Sequence, residues 1–357
     1  MSGLQKKLEK IGNDPEITAK VAGLRYALQS DEGYTRQRKG KGFTYKDHEG
    51  NTVKDKKIRK RIEKLVIPPA WEDVWISPYS NGHLQVTGID AKGRKQYRYH
   101  PEWTKIRNQS KFYRLRRFAL ALPDIRAQVE KDLRRQGLPY EKVVALVVKL
   151  MELTNIRIGN EAYKKLYGSF GLTTLRDKHV KFKGNTVKFE FKGKKGVKHK
   201  IKLQSRRLAN LVKRCKDVPG YELFQYYDDN NKHQSIGSTD VNNYIKEITG
   251  EDFTAKDFRA WAGSINALCS FLDIGEYCND TECKKKVVKV LDSVAEKLGN
   301  TRTVCKKYYV HPTVIASYEK GSIWNYKPDR KNDDDFDADE KALLKLLTEE
   351  NIAEVVA

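Results

Sequence analysis

Tyr308 and Tyr309 stand in the stretch Leu298-Gly-Asn-Thr-Arg-Thr-Val-Cys-Lys-Lys-Tyr-Tyr-Val-His-Pro312. A helix whose apolar face is Val287, Val288, Leu291, Val294, Ala295 and Leu298 runs into Gly299, and the tyrosine pair comes just before Val310, His311 and Pro312. That arrangement reads as a tyrosine held at a fixed place. Tyrosine can act as a covalent nucleophile, but among 19 tyrosines most pack with a satisfied hydroxyl. The weight of the pair therefore depends on what lies upstream. Arg157 sits in Thr154-Asn-Ile-Arg-Ile-Gly-Asn-Glu161, Lys194 in Phe191-Lys-Gly-Lys-Lys-Gly196, Lys256 and Arg259 in Ala255-Lys-Asp-Phe-Arg-Ala-Trp261, and Asn300 nine positions before Tyr309. Two arginines can grip phosphate oxygens at two points each and stabilise charge that develops there. Each also has a plainer reading: Arg157 paired to an acid such as Glu161, and Lys194 solvated on a hairpin tip.

The net charge of +23 over 357 residues points the same way. Residues 331–357 carry nine acids against three bases, which leaves +29 on residues 1–330. A folded body that cationic is suited to a polyanion, and nucleic acid is the obvious one. A hydrophobic content of 39% fits a folded chain of two or three domains. No apolar run is long enough to span a membrane, and Met-Ser-Gly-Leu-Gln-Lys-Lys-Leu-Glu-Lys lacks an apolar signal core. With Cys215, Cys269, Cys278, Cys283 and Cys305 odd in number and scattered, reduced thiols and a cytoplasmic, nucleoid-associated location are expected. Cys278 and Cys283 have no second Cys/His pair at metal spacing, so neither a metal nor another cofactor is expected.

The elements that must position these residues fall into two textures. Residues 1 to about 30 read as one or two helices, followed by a basic loop, Thr35 to Gly42, that could lie on phosphates. A hairpin is expected from Phe43 to Lys54 and a helix carrying Ile58, Ile62 and Leu65 ahead of Pro68-Pro69. Strands follow at 73–77, 83–87 and 95–99. In the last, Arg94, Gln96 and Arg98 alternate with Lys95, Tyr97 and Tyr99. Such a ribbon fits a major groove, where Gln reads an adenine edge and Arg a guanine edge; packing of the tyrosine pair on a core is the other reading. Around His100 to Lys105 the pattern turns helical, with amphipathic helices expected at 111–122 and 124–136 and a helix apolar nearly all round at 141–153. A three-stranded β-meander over 179–203 packs on one side, with Val187, Phe189 and Phe191 on one face and Val197, Ile201 and Leu203 on the next strand, and carries Lys194 on a Gly-flanked arm. Helices are expected at 205–215, 239–248 and 253–268, the last capped by Thr254, with a short one at 339–348. The fold class is α+β: a small antiparallel-sheet domain (1–103), a mainly helical domain with the meander (104–320) and an acidic tail (321–357).

Taken jointly, these motifs resemble those of type IB DNA topoisomerases, in the small poxvirus-like branch found in bacteria, over about residues 35–315. The resemblance implies a clamp around double-stranded DNA, working as a monomer without ATP or metal. It implies that Tyr309 attacks a phosphodiester, becomes joined to the 3′ phosphate and releases a 5′ hydroxyl, with Tyr308 as the one-residue-off alternative. It matches Lys194 to the general acid, with Lys195 as the neighbour to exclude, Lys256 to a lysine that helps the proton transfer, and Asn300 to the last phosphate donor, where many members have His. Asn donates a hydrogen bond but brings no charge. Arg94, Gln96, Tyr97, Tyr99 and Tyr163 match DNA contacts. A tyrosine site-specific recombinase shares the Arg, Lys, Arg, Tyr chemistry, but Lys256 and Asp257 stand where its His usually precedes the second Arg. A non-enzymatic DNA-binding protein is the third reading.

Overall fold

The computed structural model describes residues 14–329 and 336–349, apart from residues 41, 229 and 231 and the side chains of 108–113, 336 and 337. The helix expected at the start of the chain lies partly outside these residues, as do Lys41 of the basic loop and the Asp333 to Asp335 run. The chain divides into two units after Arg114, whereas the sequence pattern placed the boundary at 103/104.

In the first unit Asp14 caps α1 (Pro15–Val21) by accepting from the Glu16 and Ile17 amides. The helix does not continue to Leu28, because the chain turns at Gly23 with φ +67 and then bridges to Gly82 through Arg25. The segment read as a basic loop is instead β1 (Tyr34–Lys39), paired antiparallel with β2 (Gly42–Lys46). The hairpin therefore lies one strand earlier than expected, and Thr52 makes only an isolated bridge to Lys46. Arg36 shows why: its guanidinium turns inward, donating to the Ile67, Pro68 and Trp71 carbonyls and covering Phe43. Next come α2 (Lys56–Lys64), capped by Asp55, then β3 (Glu72–Ile76), β4 (Leu84–Ile89) and β5 (Lys95–Tyr99). The sheet runs β2-β1-β3-β4-β5, all antiparallel, and Ile62 of α2 packs on Val74, Ile76 and Val86.

α3 (Pro101–Leu133) is one helix, not two, and runs through Pro123. An internal proline costs about 3 kcal/mol. Phe118, Leu122, Ile125 and Val129 are buried on either side of it, and at roughly 1.5–3 kcal/mol per buried side chain they outweigh that cost.

The second unit is built on α4 (Tyr140–Thr154), buried from Lys142 to Val148. After α5 (Glu161–Tyr167) comes the meander β6 (Val180–Lys183), β7 (Thr186–Lys192) and β8 (Lys198–Gln204). Val187, Phe189 and Phe191 are buried as expected. On β8 the inward row is His199, Ile201, Leu203, while Val197 precedes the strand and is exposed. α6 (Arg206–Lys216), the short pair β9 (Gln225–Tyr227) and β10 (His233–Ser235), and α7 (Ser238–Thr249) lead to α8 (Ala255–Ile274), capped by Thr254. α9 (Asp280–Leu298), α10 (Arg302–Tyr308), α11 (Pro312–Glu319) and α12 (Phe336–Glu349) complete the unit. No helix among the described residues is long and apolar enough to cross a membrane.

The acidic tail expected beyond 320 is different in its described residues. Ile323, Tyr326, Leu343, Leu346 and Leu347 are buried in the core of the second unit. Glu340 accepts two hydrogen bonds from Arg126, at 2.7 and 2.8 Å, and one from Trp261 Nε1 at 2.7 Å. Burial alone would lower the Arg126 pKa, but the Glu340 and Glu152 carboxylates hold it above its ordinary value. The acids of α12 thus include a buried brace on α8, invisible to a count of charge. Replacing Glu340 with Ala should destabilise the protein by about 1–3 kcal/mol, because Trp261 Nε1 loses its buried acceptor while Arg126 keeps Glu152. Urea unfolding checks this, and a change below about 1 kcal/mol would place Glu340 among exposed pairs.

Candidate active site

α4 ends because Asn155 takes a left-handed conformation (φ 55), and the chain then presents Arg157. α9 ends in the same way at Gly299 (φ 59), which puts Asn300 next in line. The two helix ends are joined by arginines. Arg157 Nη2 donates to the Gly299 carbonyl at 2.8 Å and to Asn300 Oδ1. Arg259, from the second turn of α8, donates through Nη2 to the Leu298 carbonyl at 2.8 Å and through Nη1 to the Asn155 carbonyl. A helix C-terminus carries unsatisfied carbonyls and roughly half a negative charge, so both cations sit where the backbone favours them. Glu161 instead pairs with Lys164, and no carboxylate among the described residues pairs with either arginine.

Arg259 is 4% exposed. Burial first, and the neighbouring Arg259 charge second, lower the Arg157 pKa to about 10; burial likewise lowers that of Arg259, against the pull of the Tyr309 phenol. A guanidinium keeps its proton in proteins, so the pair carries two positive charges. Two neighbouring cations, held by carbonyl dipoles alone, leave a net positive site that only an anion can balance.

Tyr309 faces this pair, with the Arg259 guanidinium carbon 5.1 Å from its ring centroid. Its backbone is fixed from two sides. The Tyr309 amide donates to Cys305 at 2.9 Å, closing α10, and its carbonyl accepts from Ser264 Oγ at 3.3 Å. Ser264 Oγ in turn accepts from the His311 amide at 2.9 Å. Beside it, a Cβ at Gly263 would fall 2.5 Å from the Tyr309 carbonyl oxygen, so α8 must present glycine there. Tyr308 points away, 42% exposed, with Lys307 over its ring.

Arg157, Lys194, Lys256, Arg259, Tyr163 and Tyr309 line one pocket of ≈ 260 Å³, together with Ser169 and Phe170. Lys194 Nζ stands 5.2 Å from the Tyr163 ring centroid. The arm that carries Lys194 is a closed turn, tied by Gly193 N to Val197 O at 2.7 Å and Gly196 N to Gly193 O at 3.0 Å. Asn300 adjoins the pocket through its bond to Arg157 and does not line it.

Arg94, Gln96, Tyr97 and Tyr99 belong to the other unit. Tyr97 and Tyr99 stack on one face of β5 with centroids 6.1 Å apart and stay largely exposed. Arg94 and Gln96 share a partner that the sequence pattern did not flag: Asp90 accepts from Arg94 Nε and from Gln96 Nε2, both at 2.8 Å. The Arg94 hydrogen bond first, and backbone amides after it, lower the Asp90 pKa to about 2. The helix-end carbonyls, Ser264 and His199 (below) were also missed, since backbone acceptors and spacers have no residue signature.

An anion that enters between Arg157 and Arg259 should stabilise the fold by mass action. Sulfate is therefore expected to raise the melting temperature of the parent protein more than that of Arg157→Ala, by roughly 2–4 °C for each kcal/mol of binding. Equal rises in calorimetry would mean that the pair does not hold the anion.

Residues 100–333 match the family described as eukaryotic DNA topoisomerase I, catalytic core, and residues 42–90 match the bacterial DNA topoisomerase IB, N-terminal domain. The chain is 32% identical over 323 residues to DNA topoisomerase 1B of Acanthamoeba polyphaga mimivirus, covering 88% of this chain and 94% of that protein. It is 23% identical over 261 residues to DNA topoisomerase 1B of Vaccinia virus (strain Copenhagen), with 72% and 78% covered. Against DNA topoisomerase 1 of Rabbit fibroma virus (strain Kasza) the identity is 22% over 297 residues, with 77% and 88% covered. Both units are thus matched, and the chain belongs to the type IB DNA topoisomerases, in their small poxvirus-like branch.

Proposed function

We propose that this enzyme relaxes supercoiled DNA by cutting one strand through a 3′-phosphotyrosine at Tyr309, letting the free end swivel, and resealing. The observation that carries this reading is the pocket itself, where Tyr309 meets two guanidinium groups not neutralised by carboxylates. Tyr309 Oη forms a bond to phosphorus as its proton passes to solvent water, and the bond from phosphorus to the 5′ oxygen breaks. Arg157 and Arg259 hold the non-bridging oxygens and stabilise their added charge in the transition state. Lys194 gives its proton to the departing 5′ oxygen, with Lys256 assisting. Its place in the pocket, with Lys195 outside the lining, favours Lys194 for that role. The exposure of Tyr308 likewise favours Tyr309 as nucleophile.

Resealing is the same sequence reversed, and the phosphotyrosine conserves the bond energy, so no ATP is needed. Side-chain cations supply the charge at phosphorus, so no step calls for a metal ion. Asn300 is an auxiliary phosphate donor: its Oδ1 is engaged with Arg157, and its Nδ2, buried with no hydrogen-bond partner among the described residues, can donate to a non-bridging oxygen but brings no charge. On the sheet unit, Tyr97 and Tyr99 offer rings to the duplex, and Asp90 pre-sets Arg94 and Gln96 for base edges. Tyr163 lies beside Lys194, where it can meet the backbone near the cut. A clamp formed by one chain is sufficient for all of these contacts.

With negatively supercoiled plasmid in EDTA and no ATP, the parent should produce a ladder of relaxed topoisomers on a gel. Tyr309→Phe should bind the plasmid and leave it supercoiled; relaxation at the parent's rate by that variant would remove Tyr309 from the role. Arg157→Ala should lose about 10²–10³-fold in single-turnover cleavage, as for removal of a transition-state donor, and Asn300→Ala distinctly less. Equal losses would contradict the auxiliary role of Asn300.

A further inference from the structure

His199 lies on the inward row of β8, where Ile201 and Leu203 put apolar side chains into the core. Its ring stacks on that of Phe191, directly across the β7–β8 ladder, with centroids 4.9 Å apart and planes 18° from parallel. Its edges reach two glycines that belong to different parts of the site. A Cβ at Gly193 would fall 2.6 Å from His199 Cδ2 and Nε2, and a Cβ at Gly299 would fall 2.6 Å from His199 Cε1. Gly299 also needs glycine for its left-handed turn. Gly193 does not: its φ of −91 is open to any residue, so what excludes a side chain there is the close approach of the imidazole.

Gly193 immediately precedes Lys194, and Gly299 supplies the carbonyl that receives Arg157. We propose that His199 is a positioning residue, a flat spacer that sets the Lys194 turn at a fixed distance from the Gly299–Asn300 corner. Burial first, and then the charges of Arg157 and Arg259, lower its pKa, which keeps the ring neutral beside two cations. A neutral ring adds no third charge to the site and stacks as an aromatic. A purely apolar side chain in the row would serve the core as well; the fit of the ring edges to two glycine backbones is what assigns the spacing role.

This inference rests on the reading of Lys194 as proton donor to the 5′ oxygen, and the test separates the two. Single-turnover cleavage is measured on two duplexes, one with the ordinary 5′ bridging oxygen at the cut and one with sulfur in its place. A thiolate departs without a proton, so a loss caused by misplacing Lys194 disappears on the sulfur substrate. A loss caused by misplacing Arg157 or Tyr309 remains on both. His199→Ala should cleave the oxygen substrate about 10²-fold more slowly, the effect of a displacement near 1 Å, and the sulfur substrate within a few-fold of the parent. His199→Phe, which keeps a flat ring on Phe191, should retain most of the oxygen rate.

Should His199→Ala fail to fold, Gly193→Ala carries the same test, since its methyl group must push the turn off the ring. It too should be slow on oxygen and restored on sulfur. Parent rates on oxygen in either variant, or equal losses on both substrates, would overturn the spacer role. A Lys194→Ala protein that sulfur does not rescue would overturn the general-acid reading, and this inference with it.

Discussion

Arg259 is buried and Arg157 half-buried beside it, with no carboxylate among the described residues paired to either, and the architecture of the catalytic unit follows from making that tolerable. Isolated buried cations cost several kcal/mol each even after relaxation. Here α4 and α9 both end in left-handed residues, and their last carbonyls point at Arg157 and Arg259. Carbonyl dipoles satisfy the donors without removing the charge. A carboxylate would have stabilised the empty site more and repelled a phosphate. The lowered pKa of Arg157 records the residual strain: the folded chain keeps this proton less tightly than the unfolded one, so the cost is present below about pH 10 and is relieved as pH rises through that value. Phosphate oxygens placed between the two groups, as proposed, would remove it at neutral pH.

The remaining parts hold Tyr309 and Lys194, the proposed reacting groups, about the same pocket as that pair. α8 contributes Arg259 and, one to two turns on, the Gly263-Ser264 step that seats the Tyr309 backbone. Glu340 of α12 braces the same helix through Trp261. The β7–β8 turn brings Lys194 from the opposite side, closed by its own hydrogen bonds and abutted by His199. Each group therefore sits on a regular element or a tied turn, which suits chemistry that depends on placement.

Much of this was legible in the sequence, for definite reasons. β5 was read with its observed limits because Lys95 to Tyr99 alternates cleanly between turn signals, and the start of α8 was found through its Thr254 cap, although the helix runs on to Ile274, past the expected end at 268. The pocket brings together Arg157, Lys194, Lys256, Arg259 and Tyr309, each of which stood in a motif of distinctive composition, with Tyr163, which only the family resemblance had pointed to. What escaped shares a different property. Pro123 signals a break, yet α3 continues because its apolar positions are buried on both sides. β1 looked like a phosphate loop because its charges hide that Arg36 turns inward. Glu340 and Asp90 stood in no motif and were not singled out, although each organises neighbouring side chains, distant or local. The carbonyls that hold the arginines could not be read at all, since any residue supplies one.

The most direct test of the catalytic account is the position of the covalent bond. The protein is trapped on a duplex with label on the 3′-phosphate side of the cut, digested with trypsin, and the modified peptide beginning at Tyr308 is sequenced by mass spectrometry. Label on Tyr309, retained as a phosphotyrosyl nucleotide, is the expected result. Label on Tyr308, on the 5′ side of the cut, or no adduct despite cleavage would contradict it.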